Sequence, residues 1–482
     1  MVDNSSTFVT AMQKDAENLA ADYSTYDICI VGAGVAGASL AAYLGNHGIQ
    51  VALIERDLSE PKKIIGELLQ PGGVLELEEM GLVSVLEGID AQPIYGYALI
   101  NKGVQLRIPY PEKAGKSLLG RGFRYGRFIQ SLRKAAAGNP TVTMIEGRVK
   151  EFVEDVREKR VTGVRYVPKE GNQESVVRAF LTVVCDGCVS SLRNRLCNSE
   201  KKISGYFLGL LLEDCPLPYP NHGHVFLGND SPFLSYPVSS RHTRILIDFP
   251  GRMPKLKGDA FREYLLDHVG RQLPEKMLPS FAAAVEKQNY QAMPNTIMHA
   301  KPATVPGAVL LGDSLNMRHP LTGGGMTVAL TDVRALGNLL LEIEDFSQQA
   351  KVAQAIHSYY GYRHKVNATI NILASALYGV FTQPDLNEAC FAYLSRGGKY
   401  AAGPIALLSG ISRDIRLLIR HFSAVAWYGA IRAIKPLPTP AKLSRAYCIL
   451  KQAIHIIDPL LLAEYPTIGT RMALRLARIV FP

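Results

Sequence analysis

The sequence predicts an α/β fold in which a parallel sheet is assembled from separate stretches of the chain, interrupted by an inserted antiparallel sheet and followed by a helical C-terminal region. Three glycine-containing turns, at Gly32, Asp186 and Gly312, each follow a short apolar run of strand-like composition. Between the second and third turns, residues 206–249 hold four short strand-like runs divided by Pro, Gly, Asn and Asp, which is typical of antiparallel strands. Because the turns flank this insertion, the parallel-sheet domain is expected to be discontinuous.

Length and composition agree with several packed units. A chain of 482 residues, 47% of them hydrophobic, is long enough for two or three domains, since domains usually hold about 100 to 200 residues. The predicted first domain comprises residues 24–57, 121–200 and 290–369, the second residues 58–120 and 201–289, and the helical region residues 370–482. Residues 1–24 are polar, so we expect a disordered tail there, with neither a signal peptide nor a membrane anchor.

The first turn has the spacing of a dinucleotide-binding motif. Gly32, Gly34 and Gly37 form GxGxxG between an apolar run at 26–31 and a helix-like segment. A second apolar run ends at Glu55, about twenty residues beyond the last glycine, where a carboxylate can bond ribose hydroxyls. An acidic residue at this place opposes a 2′-phosphate, so the pattern favours FAD or NAD over NADP.

The other two turns place carboxylates after strand-like runs. Asp186 opens a DGxxSxxR sequence, and Asp313 follows Gly312, at the edge of the sheet, where it can accept hydrogen bonds from a sugar-alcohol chain. Glycines at 323–325 let backbone N–H groups approach a ligand, and the helix that follows points its positive end at it. In a flavin site this helix end favours the anionic reduced ring. Alone, the third turn could be a tightly packed strand-loop-helix connection, but the three turns together indicate a flavoprotein.

Cys185 and Cys188 form a CxxC sequence, which raises the alternative of zinc or dithiol chemistry. A structural zinc site needs four ligands, and the sequence has no second CxxC and no His-x3-His. We therefore expect no metal site. Seven scattered cysteines, an odd number, are typical of a reduced cytosolic protein rather than of a disulfide scaffold.

The net charge of +10 is concentrated near the C-terminus, where residues 413–482 contain eleven basic and three acidic residues. No uninterrupted apolar run there approaches the roughly 18 residues of a membrane span, so we expect helices that lie on a membrane surface. The alternative is an ordinary helical subdomain with a solvated basic face. Nucleic acid is disfavoured as a partner, since neither a binding motif nor a stacking platform accompanies the charge.

The uncharged segment 366–384 is long enough to cross a membrane by length alone. It contains several polar residues, and Asn367 and Asn371 share one face of a helix. We therefore predict a buried or interfacial helix.

The order of these motifs resembles that of the flavin monooxygenases built on the hydroxybenzoate-hydroxylase plan. Three further segments narrow the resemblance, GELLQPGG at 66–73, RFIQSLR at 127–133 and HPLTGGGMTVALTD at 319–332. They resemble the squalene epoxidase (squalene monooxygenase) family of the sterol pathway, and the likeness extends from about residue 26 to the C-terminus. It implies a discontinuous Rossmann-type FAD domain, an inserted antiparallel-sheet substrate domain and a helical membrane-binding region.

The resemblance also implies a reaction, the FAD-dependent conversion of squalene to (S)-2,3-oxidosqualene through a C4a-hydroperoxyflavin in sterol (ergosterol) biosynthesis. NADPH would be the indirect electron donor, acting through NADPH-cytochrome reductase, because the sequence has one GxGxxG turn and Glu55 disfavours NADP. The expected location is the cytosolic face of the endoplasmic reticulum membrane, with lipid droplets as an alternative. An apolar substrate needs an apolar tunnel that ends over the flavin.

Site residues follow from the same resemblance. Tyr97 and Gln70 match positions that stand beside the flavin and gate the pocket, although by itself Tyr97 reads as an ordinary core or surface tyrosine. Lys63 stands where the family commonly has arginine, and His319 is expected to fix its loop rather than move protons. The expected cofactor-binding residues are Gly32, Gly34, Val35, Ala36, Gly37, Glu55, Arg56, Lys63, Arg133, Val149, Asp186, Asp313 and Met326.

Two other functions stay open from the sequence. A prenyl (geranylgeranyl) reductase of the same superfamily would share the flavin motifs and the membrane preference but would saturate a double bond. Rab escort and dissociation-inhibitor proteins use the dinucleotide fold to carry prenylated proteins without flavin. Asp313 and the Asp186-Gly187 pair argue against such a carrier.

Overall fold

The structure is a computed structural model that describes residues 25–64, 66–113, 115–171, 173–228 and 231–466. The predicted tail at 1–24 and the end of the predicted helical region at 467–482 lie outside the described residues. Numbered in chain order, the strands are β1 (Tyr26–Val31), β2 (Val51–Glu55), β3 (Leu68–Leu69), β4 (Gln92–Ile94), β5 (Gly96–Asn101), β6 (Val104–Pro109), β7 (Glu112–Lys113), β8 (Lys116–Ser117), β9 (Gly120–Gly122), β10 (Val142–Asp155), β11 (Arg160–Pro168), β12 (Ser175–Val184), β13 (Lys202–Glu213), β14 (Gly223–Phe226), β15 (Phe233–Pro237), β16 (His242–Pro250), β17 (Gln291–Ile297) and β18 (Ala308–Leu310).

The helices concentrate after the last strand. Short 3-10 or π segments lie at Val83–Leu86, Leu265–Val269, Gly270–Gln272, Glu275–Met277, Gly312–Ser314 and Pro320–Thr322. The α-helices are α1 (Val35–Gly45), α2 (Pro71–Glu79), α3 (Tyr125–Ala137), α4 (Arg193–Leu196), α5 (Gly258–Tyr264), α6 (Leu278–Glu286), α7 (Gly325–Leu341), α8 (Gln349–Phe381), α9 (Pro384–Leu394), α10 (Lys399–Leu408), α11 (Ile415–Ile434) and α12 (Pro440–Glu464).

The first sheet joins the strands that precede all three glycine turns. Strands β10, β2, β1, β12 and β18 lie side by side and parallel, and β11 pairs antiparallel with both β10 and β12. Their apolar interiors are buried, as expected for parallel strands covered on both faces. The predicted discontinuous α/β domain is confirmed, and its three turns meet at the carboxyl edge of one sheet.

The second sheet has seven strands in the order β17-β13-β16-β15-β14-β5-β6. All neighbours are antiparallel except β14 and β5, which pair in parallel and so join the two stretches predicted for the second domain. All four strand-like runs predicted within 206–249 are strands of this sheet. The sheet is therefore mixed rather than wholly antiparallel, because the partner of β5 comes from a distant part of the chain.

Two segments lie in a different unit from the one that the sequence predicted. Strand β17, expected in the first domain, pairs with β13 of the second sheet. Residues 68–89, expected in the second domain, bury Leu77, Met80 and Val85 in the hydrophobic core of the first sheet. Short apolar runs do not encode which of two sheets will cover them, so these boundaries were set by tertiary packing.

The second sheet is covered on both faces. Along β13, Phe207 faces one hydrophobic core and Leu208 the other, and Leu99 and Ile100 of β5 alternate in the same way. One core contains Phe281 and other residues of α5 and α6, and the opposite core contains Phe381, Val425 and other residues of the C-terminal helices. The predicted helical region thus covers one face of the second sheet.

Helix α8 contains residues 366–381 of the uncharged segment 366–384 with Asn367 and Asn371 buried, so the prediction of a buried or interfacial helix is confirmed up to Phe381, and Pro384 begins α9. Of the residues that the structure describes, one helix, α12, is long and apolar enough to cross a membrane by length and composition. Its apolar window has a mean hydropathy of 1.3 and is 22% buried. The sequence analysis, which required uninterrupted apolar runs, did not single it out.

Candidate flavin and substrate site

Glycine occupies the three positions of the first turn for different structural reasons. Gly32 has φ of +98°, and a Cβ on it would lie 2.5 Å from the Cys185 carbonyl oxygen. A Cβ on Gly37 would lie 1.9 Å from the Gly32 carbonyl oxygen, so close packing of α1 on β1 requires glycine there. A Cβ on Gly34 would meet no atom of the described residues within 4 Å. The fold itself needs the outer two glycines, and Gly34 leaves open space where a ligand can approach.

Glu55 and Arg133 hold the backbone of this turn between them. The Ala33 N–H donates to Glu55 Oε2 at 2.8 Å, and Arg133 Nε donates to the Ala33 carbonyl at 3.0 Å. Arg133 Nη2 lies 3.7 Å from Glu55 Oε2. Glu55 stays partly accessible at the end of β2, where its free lone pairs can reach a ribose, and Arg56 follows it with an exposed side chain. Glu55 and Arg133, both predicted to bind the cofactor, therefore also fix the backbone of this turn.

Val149 lies beyond the end of β2. Strands β10 and β2 are parallel with Glu146 opposite Glu55, and β10 continues past that pair. Val149 is therefore placed at the same edge of the sheet as Glu55, on the side away from β1, and it packs on the first core.

The second turn is tied to the third by an arginine that the predicted site did not include. Arg193, the last residue of DGxxSxxR, is 1% exposed. It donates to the Cys188 carbonyl at 3.1 Å and the Ser314 carbonyl at 3.2 Å. Asp186 lies beside the first turn, and its Oδ1 is buried without a hydrogen-bond partner among the described residues. Burial raises the pKa of Asp186, against the effects of Ser190 and Arg193.

The third turn touches the first. Gly312 has φ of +66°, and a Cβ on it would lie 3.1 Å from Ala36 Cβ in the first turn of α1. Asp313 sits deep in the fold, where burial raises its pKa against the charges of Arg318, Lys63 and Arg193, yet its side chain is solvent-accessible. A carboxyl group that is surrounded by protein yet reachable from solvent can accept hydrogen bonds from a ligand. This is the place predicted for a ligand's sugar-alcohol chain.

Tyr125 connects several predicted residues and was missed by the sequence analysis. Lys63 Nζ lies 5.6 Å from the centre of its ring, and a Cβ on Gly66 would lie 3.0 Å from Tyr125 and 3.8 Å from Met326 Sδ. Burial and the nearby Asp313 raise the pKa of Tyr125. Tyr125 is the first residue of α3, the helix that contains Arg133. Its place in that helix was the feature of the sequence that could have identified it.

These residues fit FAD. Val35 and Ala36 lie in the first turn of α1, and Met326 lies in the first turn of α7, where backbone N–H groups have no intrahelical partner and suit anionic groups. The open space at Gly34, the unpartnered Oδ1 of Asp186 and the accessible Asp313 supply a phosphate approach and acceptors for ligand hydroxyls. The structure brings together the predicted cofactor residues except Arg56 and Val149, which lie at the rim.

Tyr97 and Gln70 lie in contact, as the resemblance implied. Gln70 Nε2 donates to Tyr97 Oη at 2.7 Å and to the Thr322 carbonyl at 2.7 Å, and Tyr110 Oη donates to Gln70 Oε1 at 2.6 Å. Burial raises the pKa of Tyr97 to about 12, so its hydroxyl stays protonated. Tyr110 was not predicted, because no local pattern marks it. The triad links the second sheet to the glycine loop before α7.

An apolar cavity of about 120 Å³ lies between the second sheet and the C-terminal helices, with Tyr97 in its wall. Apart from Tyr97, Cys390 and His421, all its lining side chains are apolar. The sheet contributes Leu99, Ile108 and Val225, and the helices contribute, among others, Leu377, Phe381, Leu394, Leu408, Phe422 and Val425.

His319 is fixed behind the glycine loop. Its ring stacks on Tyr378 at 3.8 Å between centroids, and burial lowers its pKa to about 3, so the ring is neutral. Tyr378 Oη donates to Asp248 Oδ2 at 3.0 Å, and the Asn295 amide donates to Asp248 Oδ1 at 2.9 Å. This arrangement supports the expectation that His319 holds its loop.

The two cysteines of CxxC differ in burial. Cys185 is buried and Cys188 is exposed, and both thiols are free. Across the described ranges, no group of three or more His, Cys, Asp or Glu residues is placed to hold a metal ion.

Flavoproteins are among the solved structures with the same fold. The flavin-dependent brominase Bmp2 superposes with a TM-score of 0.66 at 17% identity, covering 84% of this chain and 99% of the brominase. Klebsiella pneumoniae HpxO, solved with FAD and uric acid, superposes with a TM-score of 0.64 at 20% identity, covering 80% of this chain and 97% of HpxO. These similarities establish the fold.

Sequence comparisons are more specific. Residues 27–62 match the FAD dependent oxidoreductase family, and residues 178–446 match the squalene epoxidase family. Squalene epoxidase 1 of Arabidopsis thaliana is 47% identical over 91% of this chain and 83% of its own length. Mouse squalene monooxygenase is 40% identical, over 91% and 78%, and squalene epoxidase erg1 of Schizosaccharomyces pombe is 38% identical, over 91% and 98%. The chain therefore belongs to the squalene epoxidase family, an FAD-dependent group of enzymes.

Proposed function

We propose that this enzyme is an FAD-dependent monooxygenase that converts squalene to 2,3-oxidosqualene. The observation that carries the proposal is the hydrogen-bonded connection between the wall of the apolar cavity and the flavin edge, by which we mean the three glycine turns at the carboxyl edge of the first sheet. Tyr97 lines the cavity, and its hydroxyl is joined through Gln70 to the Thr322 carbonyl of the glycine loop before α7. An apolar substrate held in the cavity would thus meet the loop that borders the flavin site.

Each group of residues has a physical role in this reaction. The open backbone at Gly34 and the first turn of α1 would receive the pyrophosphate, Glu55 the ribose and Asp313 the ribityl chain. Bound reduced flavin supplies the chemistry, the activation of O2 for transfer of one oxygen atom to an alkene. Tyr97 and Gln70 would orient the alkene and keep the junction between cavity and loop closed to water.

The cavity selects its substrate by excluding polar groups. A hydroxyl or charge placed among Leu99, Leu377 and Phe381 would lose its hydrogen bonds to water without replacement. Ligand pockets commonly measure about 300 to 1,000 Å³, well above the 120 Å³ of this cavity. We therefore propose that α9 to α11 move away from the sheet to admit a long isoprenoid chain.

Membrane binding fits the outer face of the same helices. Ile419, Trp427 and Ile431 follow one face of α11 at intervals of four or eight residues and are exposed, as are Leu437 and Leu443 near the start of α12. Arg396 and Arg432 lie over the ring of Tyr428 nearby. This mixture suits a bilayer surface, and we propose a monotopic attachment to the cytosolic face of the endoplasmic reticulum, with lipid droplets as an alternative.

Electrons are proposed to come from NADPH through a membrane-bound NADPH-cytochrome reductase. The sequence has one GxGxxG turn, which the flavin would occupy, and Glu55 beside it disfavours the 2′-phosphate of NADPH. Attachment to the membrane would keep the flavin domain close to such a donor.

Product analysis tests this function. Purified protein with squalene, FAD, NADPH and reductase should form 2,3-oxidosqualene, detected by mass spectrometry, with Gly34→Val as a flavin-free control. Omission of the reductase should reduce turnover strongly. A saturated product without O2 consumption would instead indicate a prenyl reductase, and a protein that binds prenylated proteins but no flavin would indicate a carrier. The names of the matched relatives favour neither rival.

Membrane attachment should be tested by point substitutions rather than by removal of residues 413–482, because Leu418, Phe422 and Val425 line the cavity. Replacing Trp427 and Ile431 together by glutamate should shift protein from the membrane to the soluble fraction, since exposed apolar area would be lost and negative charge added. Flavin content should stay unchanged. If the double variant still sediments with membranes at high salt, the attachment lies elsewhere, with α12 the next region to test.

A further inference from the structure

Arg318 is a buried arginine in the loop between Asp313 and the glycine loop, and it is only 7% exposed. Its Nε donates to Asn371 Oδ1 at 2.9 Å, and its Nη1 donates to the Gly325 carbonyl at 3.2 Å. Its Nη2 donates to the Asn316 carbonyl at 3.0 Å and to Asn316 Oδ1 at 2.8 Å. All of these acceptors are neutral, so they orient the guanidinium without balancing its charge.

The neighbouring buried arginines are balanced differently. Arg363 pairs with Asp332 at 2.9 Å, and Arg133 lies 3.7 Å from a carboxylate oxygen of Glu55. In the part of the chain that the structure describes, no carboxylate lies within 4.0 Å of Arg318. The carboxylates of Asp313, Asp332 and Glu464 act on the Arg318 charge only from beyond this distance, and the Arg363 charge opposes it. Burial of a charge without a directly paired carboxylate is costly, so an anion close to this loop would balance Arg318 better.

The position of Arg318 narrows where that anion belongs. The guanidinium lies against the first turn of α7, where a Cβ on Gly325 would be 3.9 Å from Nη1. A helix N-terminus already carries partial positive charge, so a cation beside it is unfavourable unless negative charge is nearby. Asp313, which occupies the predicted ribityl position, is among the carboxylates whose charge favours the Arg318 guanidinium.

We propose that Arg318 is a fixed counter-charge for reduced flavin, acting through the loop rather than by contact with substrate. This inference rests on the proposed FAD function. Two-electron reduction of a flavin with uptake of one proton leaves one negative charge on the ring, and nearby protein charge tunes that state. Arg318 and the first turn of α7 together stabilise the reduced anion more than the neutral oxidised ring, and so raise the reduction potential of the bound cofactor.

The test is the reduction potential of the FAD-loaded enzyme, measured with xanthine oxidase as the electron source and a reference dye. Arg318→Met removes the charge, whereas Arg318→Lys keeps a charge without the planar fork. Asn316→Asp keeps Arg318 but replaces the neutral acceptor of Nη2, which Arg363 shares at 3.2 Å, by a carboxylate that partly neutralises both arginines. It also loses the hydrogen bond from Asn316 Nδ2 to the Met298 carbonyl. In Arg318→Met and Asn316→Asp, the reduced flavin should be favoured at least about tenfold less than in the parent enzyme. This corresponds to a reduction potential lower by about 30 mV for a two-electron couple. Arg318→Lys should stay near the parent value.

The outcomes separate this inference from the proposed function. Failure of the parent enzyme to bind FAD would overturn both. A folded, FAD-loaded Arg318→Met protein with an unchanged potential would overturn the counter-charge alone, and so would Arg318→Lys falling as far as Arg318→Met. If Arg318→Met does not fold, the reduction potential of Asn316→Asp tests the inference instead. An unchanged potential in that variant would overturn the counter-charge.

Discussion

The flavin edge and the apolar cavity are built in opposite ways. The edge uses short continuous motifs, such as the six residues from Gly32 to Gly37, with glycine required at Gly32 and Gly37 by the backbone itself. The cavity takes single residues from β5, β6, β14 and the helices α8 to α11, so its wall extends in sequence from Tyr97 to Val425. A polar ligand is held by local backbone geometry, whereas an apolar ligand is enclosed by interchangeable side chains brought together from a distance.

The two regions meet at polar contacts, and Leu321 before the glycine loop also packs in the hydrophobic core beside the cavity. Gln70 bonds both Tyr97 and the Thr322 carbonyl, and Tyr378 stacks on His319 while bonding Asp248. Because cavity and edge are otherwise separate, a change confined to one should leave the other intact. Damage at a junction should affect both.

The largest effects are expected within the flavin edge, from substitution of Gly37 and of Gly34. The two positions hold glycine for different structural reasons. Gly37→Val should prevent folding, since its Cβ would lie 1.9 Å from the Gly32 carbonyl oxygen. Gly34→Val has open space and should fold normally, but it should lack flavin because the side chain blocks the pyrophosphate. Circular dichroism melting and the flavin absorbance of purified protein check both. Full flavin content in folded Gly34→Val would contradict the assignment.

The junction at Asp248 should make stability depend on pH. Burial, only partly offset by hydrogen bonds from Tyr378 and Asn295, raises the pKa of Asp248 from 3.8 to about 7. The folded state therefore retains a proton that the unfolded state releases, and this stabilisation is complete below about pH 4 and lost as pH rises through about 7. Between these two pH values, the free energy of unfolding falls by up to about 1.4 kcal/mol for each pH unit.

Asp248→Asn keeps the size of the side chain but cannot ionise. Urea unfolding at pH 5 and pH 8 should show a smaller difference in unfolding free energy for Asp248→Asn than for the parent protein. Asp155→Asn, at the last residue of β10, is the matched control and should keep the parent difference. Equal pH dependence in the parent and Asp248→Asn would show that Asp248 does not titrate in this range.

A change confined to the cavity should spare the flavin. Leu377→Trp adds bulk to a cavity of about 120 Å³ and should raise the KM for squalene, since overpacking typically costs about 1 to 3 kcal/mol. FAD affinity, measured by fluorescence quenching, should not change. Leu443→Trp is the control, because Leu443 is half exposed on α12. An unchanged KM in Leu377→Trp would place the substrate outside this cavity.

The smallest effect is expected at the other junction. Tyr97→Phe removes one hydrogen bond, worth about 1 kcal/mol, but leaves Gln70 bonded to Thr322 and Tyr110. We expect a drop of roughly fivefold in kcat/KM with normal FAD affinity. A loss of FAD binding instead would mean that Tyr97 supports the flavin edge rather than the cavity.

The sequence by itself determined the parallel-sheet domain and most of the flavin edge. Gly32, Glu55, Asp186 and Asp313 were predictable because each occupies a fixed place after a strand, and such strand-turn geometry is encoded within a few residues. The resemblance to a family supplied Tyr97 and Gln70, which no local pattern marks. Their hydrogen bond confirms that the two residues meet, and their catalytic role stays a prediction.

The tertiary structure alone decided the rest. Tyr110, Tyr125 and Arg318 act through partners far away in the sequence, and the domain of β17 depended on which sheet edge it could pair with. The C-terminal helices were predicted from charge and apolar content as a membrane-associated region, but their inner face also closes the cavity. Composition records how apolar a helix is, whereas the partner that covers each face is fixed only when the whole chain packs.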